Sequence, residues 1–253
     1  PFHALKHKNK FLSENFQVSY LPSLNSFLNM MSDSNPTNFL GVGNPIFNTL
    51  ENEGFKKRNI TDLSQLASLP ETQEEIMEIS SEFDTKMILL GENATKNNFE
   101  SLKNFHTNSL IYFATHSLPY GNSISEEPGL VLTPVNDEES GILKISDISK
   151  NNFSGSVVAL SACKTFDSSH IDKEAYSGIA QAFFLGGAKG VYTTMWDIES
   201  LSATKFNSEL FRGINDSNIT NSLQQVSQAF ITGDFGDSYK DPFYWAPFLL
   251  IGQ

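Results

Sequence analysis

The chain has 253 residues, enough for one large α/β domain or two small ones. Its formal charge of −12 argues against a nucleic-acid-binding face and against docking on an anionic membrane, both of which need a basic footprint, and no apolar run approaches the ~20 residues of a membrane span. One cysteine rules out an internal disulfide and a cysteine-rich zinc site, and a lone thiol suits a reducing, cytoplasmic setting. Twenty-one phenylalanines supply the area for a sizeable core. The chain opens on Pro1 with no visible signal peptide, so the expectation is one domain, 1–253, at the end of a longer chain with an N-terminal partner.

In chain order, Phe16–Leu21 reads as a strand and Pro22–Met31 as a helix entered through Pro and Ser. Phe39–Val42 is a short strand running into Gly41-Val42-Gly43. Residues 51–69 are polar without a clear period and read as a surface loop. Leu69–Phe83 is helical behind Pro70-Glu71, with Ile76, Ile79 and Phe83 at helical spacing. Lys86–Leu90 is a strand, Thr95–Phe105 a helix and Ser109–Thr115 a strand. The runs Met87–Leu90 and Leu110–Ala114 are continuously apolar, as in strands buried on both faces of a parallel sheet. Residues 117–155 break the rhythm, with a short strand at Gly129–Thr133 and a helical turn at Ile145–Ser149. Ser156–Leu160 is a strand, Glu174–Leu185 a helix closed by Gly186-Gly187, and Lys189–Met195 a strand. Ser200–Phe211 is a helix capped by Ser200, Ile219–Ile231 a helix with Ile219, Leu223, Val226 and Phe230 on one face, and Trp245–Ile251 a final strand. Strand–helix alternation of this kind implies an α/β domain with a mostly parallel sheet.

In such sheets ligands bind beyond the carboxyl ends of the strands. His116 follows one buried strand, Cys163 comes shortly after another, and Trp196-Asp197 follows a third. His116 and Cys163 stand 47 residues apart, near the spacing by which the caspase His precedes its Cys. A thiol with a free pKa of about 8.5 is mostly protonated at neutral pH, and a neighbouring imidazole can take its proton. Against this stands the plain alternative that a lone cysteine is an inert core residue.

Several motifs carry a family resemblance. Ile111-Tyr112-Phe113-Ala114-Thr115-His116-Ser117 and Leu160-Ser161-Ala162-Cys163-Lys164-Thr165 resemble the His and Cys segments of the CHAT family of caspase-like peptidases. Tyr20-Leu21-Pro22-Ser23, Gly141-Ile142-Leu143 with Asp147-Ile148, Ala182–Ala188, Trp196-Asp197 and Trp245-Ala246-Pro247-Phe248 follow in register, so the resemblance covers nearly the whole chain. It implies a caspase-like three-layer α/β/α fold and a cysteine endopeptidase that needs no cofactor and no metal. Cys163 would be the nucleophile, His116 the general acid/base, and the backbone N–H groups of Ser117 and Cys163 the oxyanion hole. The family usually has Gly where this chain has Ser117; a backbone donor survives that change, while a Cβ is added beside the substrate. Ser161, Trp196, Asp197, Asp167 and Glu199 are the candidate substrate-binding residues. Asp197, with Asp167, Glu199 or the wall residue Ser161, would favour a basic residue at P1; the alternative reading has Asp197 capping the helix after it or facing solvent. The resemblance also implies a protein substrate, an upstream TPR or sensor module that orders residues 117–140 and 164–175 on activation, and a role in bacterial defence or cell death. A catalytically silent CHAT-fold interaction module is the competing reading, with Ser117 as its sequence argument.

Other signals are discounted. His3 and His7 lack a third ligand, His106 and His170 lack partners, and Gly41-x-Gly43 reads as a turn rather than a nucleotide fingerprint. Asp234-Phe235-Gly236 has no accompanying phosphate loop, Asp137-Glu138-Glu139 reads as a solvated loop, and Trp245 and Phe248 read as core.

Overall fold

The computed structural model describes residues 1–21, 35–47, 63–120, 124–137, 139–161, 173–196, 198–214 and 218–252. An N-terminal strap holds two short strands, β1 (Lys6–His7) and β2 (Lys10–Phe11). The main sheet is built from β3 (Asn38–Pro45), β4 (Thr85–Gly91), β5 (Ser109–Ala114), β9 (Val157–Leu160), β10 (Gly190–Thr194) and β11 (Phe248–Gly252), in the order β11-β10-β9-β5-β3-β4. Every neighbouring pair is parallel except β10 with β11. A small antiparallel sheet of β6 (Ser117–Leu118), β7 (Gly129–Val131) and β8 (Ile142–Lys144) is inserted between β5 and β9. The α/β class with a mostly parallel central sheet is therefore the one observed.

The helices are α1 (Glu71–Ser80), α2 (Lys96–Ser101), α3 (Ile145–Ile148), α4 (Lys173–Leu185), α5 (Ser200–Phe211), α6 (Ile219–Thr232) and α7 (Pro242–Trp245). Alternation along the strands sends side chains to two faces. Leu110, Tyr112 and Ala114 of β5 join Ile76 and Ile79 of α1, Phe206 and Leu210 of α5, and Leu223 and Phe230 of α6 in one core. Ile111 and Phe113 join Phe99 of α2, Ile148 of α3 and Ile179 and Phe183 of α4 in the other. The result is three layers, α/β/α.

Local chemistry explains the boundaries. Thr95 accepts from Asn98 N at 3.1 Å and starts α2, Asn218 accepts from Asn221 N at 2.8 Å and starts α6, and Asp241 accepts from Phe243 N at 2.8 Å with Pro242 in the first turn of α7. Gly187, at φ +93°, takes the chain out of α4 as the glycine pair implied.

Several expectations are corrected. Gly41 and Gly43 lie inside β3, not in a turn: a Cβ on Gly41 would stand 2.6 Å from Ile76 Cγ2, so glycine lets α1 rest directly on the sheet. Helix α5 has Glu199, not Ser200, at its N-cap position, without a side-chain cap bond. Of Phe16–Leu21, only Tyr20 pairs, in an isolated bridge to Ile251. The final segment divides into α7 and β11, because Pro242 opens a helical turn before the strand. Of the loop expected at 51–69, residues 51–62 lie outside the described residues, and the rest is not polar surface: Leu63, in the 3₁₀ turn Leu63–Gln65, and Leu66 and Leu69 after it are buried. His106 has a partner, since its Nε2 meets the Phe99 carbonyl at 3.0 Å and its ring stacks on Phe99. The helix expected at 22–31 lies outside the described residues.

Candidate active site

The carboxyl edge of the sheet is where β5 and β9 deliver their chemistry. Phe113 of β5 and Leu160 of β9 are the last register partners, and Ser161 N donates to the Phe113 carbonyl at 2.8 Å. His116 and Cys163 each stand three residues past that pair. Cys163, Asp167 and Asp197 lie outside the described residues; His116, Ser117, Ser161, Trp196 and Glu199 are within them.

His116 is 4 % exposed and lies beside Phe47, ring centroids 5.4 Å apart. Its Nε2 is 2.8 Å from the Ala67 carbonyl oxygen. A carbonyl can only accept, so Nε2 must carry the proton. In a neutral ring that leaves Nδ1 as the nitrogen able to accept a proton. The backbone around it is clamped by the small sheet: Val131 N donates to the His116 carbonyl at 2.8 Å, and the Thr115 hydroxyl donates to the Val131 carbonyl.

Ser117 pairs with Leu130 across β6 and β7. The bond from Val131 N to His116 O makes this a non-hydrogen-bonded pair, so the Ser117 N–H points away from β7. Its amide is thus left unused by the ladder, as an oxyanion donor requires.

Beside these strand ends lies an open cleft, lined by Leu69, Glu71, Thr72 and Glu75 around α1, by Thr115, Ser161, Tyr192 and Thr194 at the strand ends, and by Ile198, Ala203, Thr204, Asn207 and Phe248 opposite. Thr115, one residue before His116, and Ser161, two residues before Cys163, both line it. Its floor is polar. Glu75 Oε1 accepts from the Tyr112 hydroxyl, from Ser161 Oγ at 2.9 Å and from Asn207 Nδ2 at 2.7 Å; Asn207 Nδ2 also reaches Ser161 Oγ at 2.9 Å. Burial pushes the Glu75 carboxyl above its ordinary value, and burial together with that carboxylate pushes the Tyr112 phenol well up.

Trp196 is half-buried against the α5–α6 core, its Nε1 donating to the Phe243 carbonyl at 3.1 Å, and Glu199 is exposed at the start of α5. Neither lines the cleft, whereas Ser161 does. Phe248, read as core, is both core and cleft wall. The sequence reading passed over Ala67, Glu75 and Asn207. Ala67 acts through its carbonyl and leaves no side-chain signal. Glu75 did leave one: Thr72, Glu75 and Ile79 share the buried stripe of α1.

The model of the CHAT domain matches residues 1–253. The chain belongs to the CHAT family. No curated protein matches it. Among solved structures, this CHAT chain is similar to the Arg-specific cysteine proteinase gingipain R, at 9% identity and a TM-score of 0.48, covering 88% of this chain and 47% of that one. It is similar also to the complex of Porphyromonas gingivalis RgpB pro- and mature domains, at 9% identity and a TM-score of 0.45, covering 86% and 47%. The CHAT chain thus spans about half the length of these proteins. Among the described residues no helix is long and apolar enough to cross a membrane.

Proposed function

We propose that this chain is a cysteine endopeptidase acting on a protein substrate, with Cys163 as nucleophile and His116 as general acid/base. The observation that carries the reading is the bond from His116 Nε2 to Ala67 O, which presents a basic Nδ1 at the end of a strand in register with the one leading to Cys163. In this scheme Nδ1 takes the thiol proton and the thiolate sulfur attacks the scissile carbonyl carbon. The oxyanion is held by the N–H groups of Ser117 and Cys163. The imidazolium then protonates the leaving amine, and water releases the acyl group from sulfur. P1 is basic, and Ser161, with Asp197 and Asp167, borders the substrate groove. An upstream TPR or sensor module gates the enzyme by acting on residues 117–140 and 164–175, in keeping with a role in bacterial defence or cell death; β6 and β7, within the first of these segments, are buried strands.

The test is cleavage of a peptide library by the wild type against Cys163→Ala and His116→Ala, with cut sites read by mass spectrometry. Hydrolysis lost in both variants is expected, alongside alkylation of Cys163 at mildly acidic pH that is faster than for free cysteine. A thiol that alkylates no faster than free cysteine, in a chain that cuts nothing, would leave the silent CHAT module as the reading.

A further inference from the structure

Glu75 is the buried ionisable group to which the hydrolytic scheme gives no task. The residue is 3 % exposed. Its Oε1 collects all three donors, and the donors are oriented to serve a carboxylate. Asn207 Oδ1 accepts from the Tyr192 hydroxyl at 2.7 Å, so the amide must turn its NH₂ toward Glu75. Oε2 has no donor among the described residues, and no Lys, Arg or His among them lies within ion-pair distance of Glu75. A buried carboxylate without a countercharge is expensive, and a fold keeps one where something else supplies the charge. Here it lines an open cleft, with Glu71 one helical turn earlier on the same wall.

We propose that Glu75 is the specificity-determining residue of this cleft, and that its missing partner is the guanidinium or ammonium of the substrate residue on the acyl side of the cut bond. The inference rests on the peptidase reading and moves the recognition of a basic P1 from the loop carboxylates to the helix α1. The placement follows from the described strand ends: Thr115, next to His116, and Ser161, which bonds back to Phe113 O, both line the cleft, so on the peptidase reading the side chain on the acyl side of a carbonyl held at His116 enters it. Leu69, Tyr192 and Phe248 then flank the methylene stem, while the charged tip reaches the Glu75 floor.

The same geometry makes recognition pH-dependent. Among the described residues, the titratable groups facing Glu75 are Tyr112 of β5, Tyr192 of β10 and Glu71 of its own helix; α5 presents the neutral Asn207. None of these brings a positive charge. Burial raises the Glu75 pKa, so acid pH leaves it protonated and unable to pair with a cation.

Two measurements on the full chain test this, one of them independent of hydrolysis. Binding of benzamidine, a small amidinium probe, is followed by calorimetry. The wild type and Cys163→Ala should bind it, more tightly at about pH 7.5 than at about pH 5, and Glu75→Gln should bind at least about tenfold more weakly. For hydrolysis, peptides ending in Arg or in its neutral isostere citrulline at P1 are compared. The wild type should favour Arg by at least about 50-fold in kcat/KM, and Glu75→Gln should erase most of that preference. Equal rates for Arg and citrulline, or an Arg preference untouched in Glu75→Gln, would overturn the proposal. Should Glu75→Gln fail to fold, the Arg–citrulline comparison in the wild type decides alone. Benzamidine binding that depends on Glu75 in a chain that cuts no peptide would sink the peptidase reading and leave the cation pocket standing. Hydrolysis without a basic preference would do the reverse.

Discussion

At position 75 the chain places a carboxylate where the helical period asks for a core side chain. Ile76 and Ile79 bury against the sheet, and Glu75, on the same stripe, meets Tyr112, Ser161 and Asn207. The raised pKa has a stability consequence of definite sign. The folded chain holds the Glu75 proton to higher pH than the unfolded chain, whose carboxyl titrates near 4.5. The contribution of this group to stability is therefore full below that value, and it is lost as pH rises through the folded pKa. Glu75→Gln removes the dependence. It should melt above the wild type at neutral pH, the gap closing on acidification, when melting is followed by calorimetry from about pH 4 to 8. Gly41 gives the opposite case. Gly41→Ala would press a methyl on the β-branched, fully buried Ile76, which cannot swing away, and should cost about 1–3 kcal/mol in denaturant titration. The two positions show what sequence can disclose at this scale. His116 was visible because a chemistry-bearing side chain stood after an apolar run; Cys163 was read in the same way and lies outside the described residues. Ala67 was not, because its contribution is a carbonyl that every residue has.

Elements were legible wherever one period dominated. The runs at Leu110–Ala114 and Ser156–Leu160 gave β5 and β9, and the stripe Ile219, Leu223, Val226 and Phe230 gave α6 within a residue at its C-terminal end. Failures came where the ordering contact is distant in sequence. The N-terminal strap is held by packing on α6 rather than by its own period: Gln224 and Gln228 donate from α6 to the carbonyls of Ser13 and Glu14, and Phe11 meets Trp245 edge-on at 4.9 Å. His3, within this strap, packs near Trp245 and Tyr20, and burial pushes its pKa down to about 4. A histidine held neutral in the fold contributes stability fully above its ordinary 6.5, and that stability is lost as pH falls toward 4. Hydrogen exchange should therefore find residues 1–20 losing protection by about tenfold or more between pH 7 and 4.5, after correction for the intrinsic rate, while β5 and β9 hold theirs. His3→Phe, which keeps a ring and removes the titration, should hold the strap across that range. Equal acid lability in His3→Phe would place the cause elsewhere.

For the whole molecule the governing quantity is a net charge of −12 carried by a chain whose cleft is floored by a carboxylate. Long-range and local electrostatics then act on the same substrate in different ways. The overall field draws a cationic peptide toward the protein from beyond contact, and salt screens it over a Debye length of about 10 Å at 0.1 M. Glu75, itself buried, acts only after the side chain has reached the cleft floor, where added salt has little access. Raising ionic strength from about 0.02 M to 0.3 M should thus lower kcat/KM for an Arg-P1 peptide several-fold, mainly through association, and leave kcat nearly unchanged. A peptide with citrulline at P1 and the same flanking charges should show a similar proportional slope, because the field acts on the peptide's total charge and loses only one unit. In Glu75→Gln the Arg peptide should become a poor substrate and yet keep most of its salt slope, since one of 29 acidic residues has been removed. If that substitution abolished the salt dependence together with the preference, steering and recognition would both reside in the cleft, and the acidic surface would have no part in bringing the substrate in.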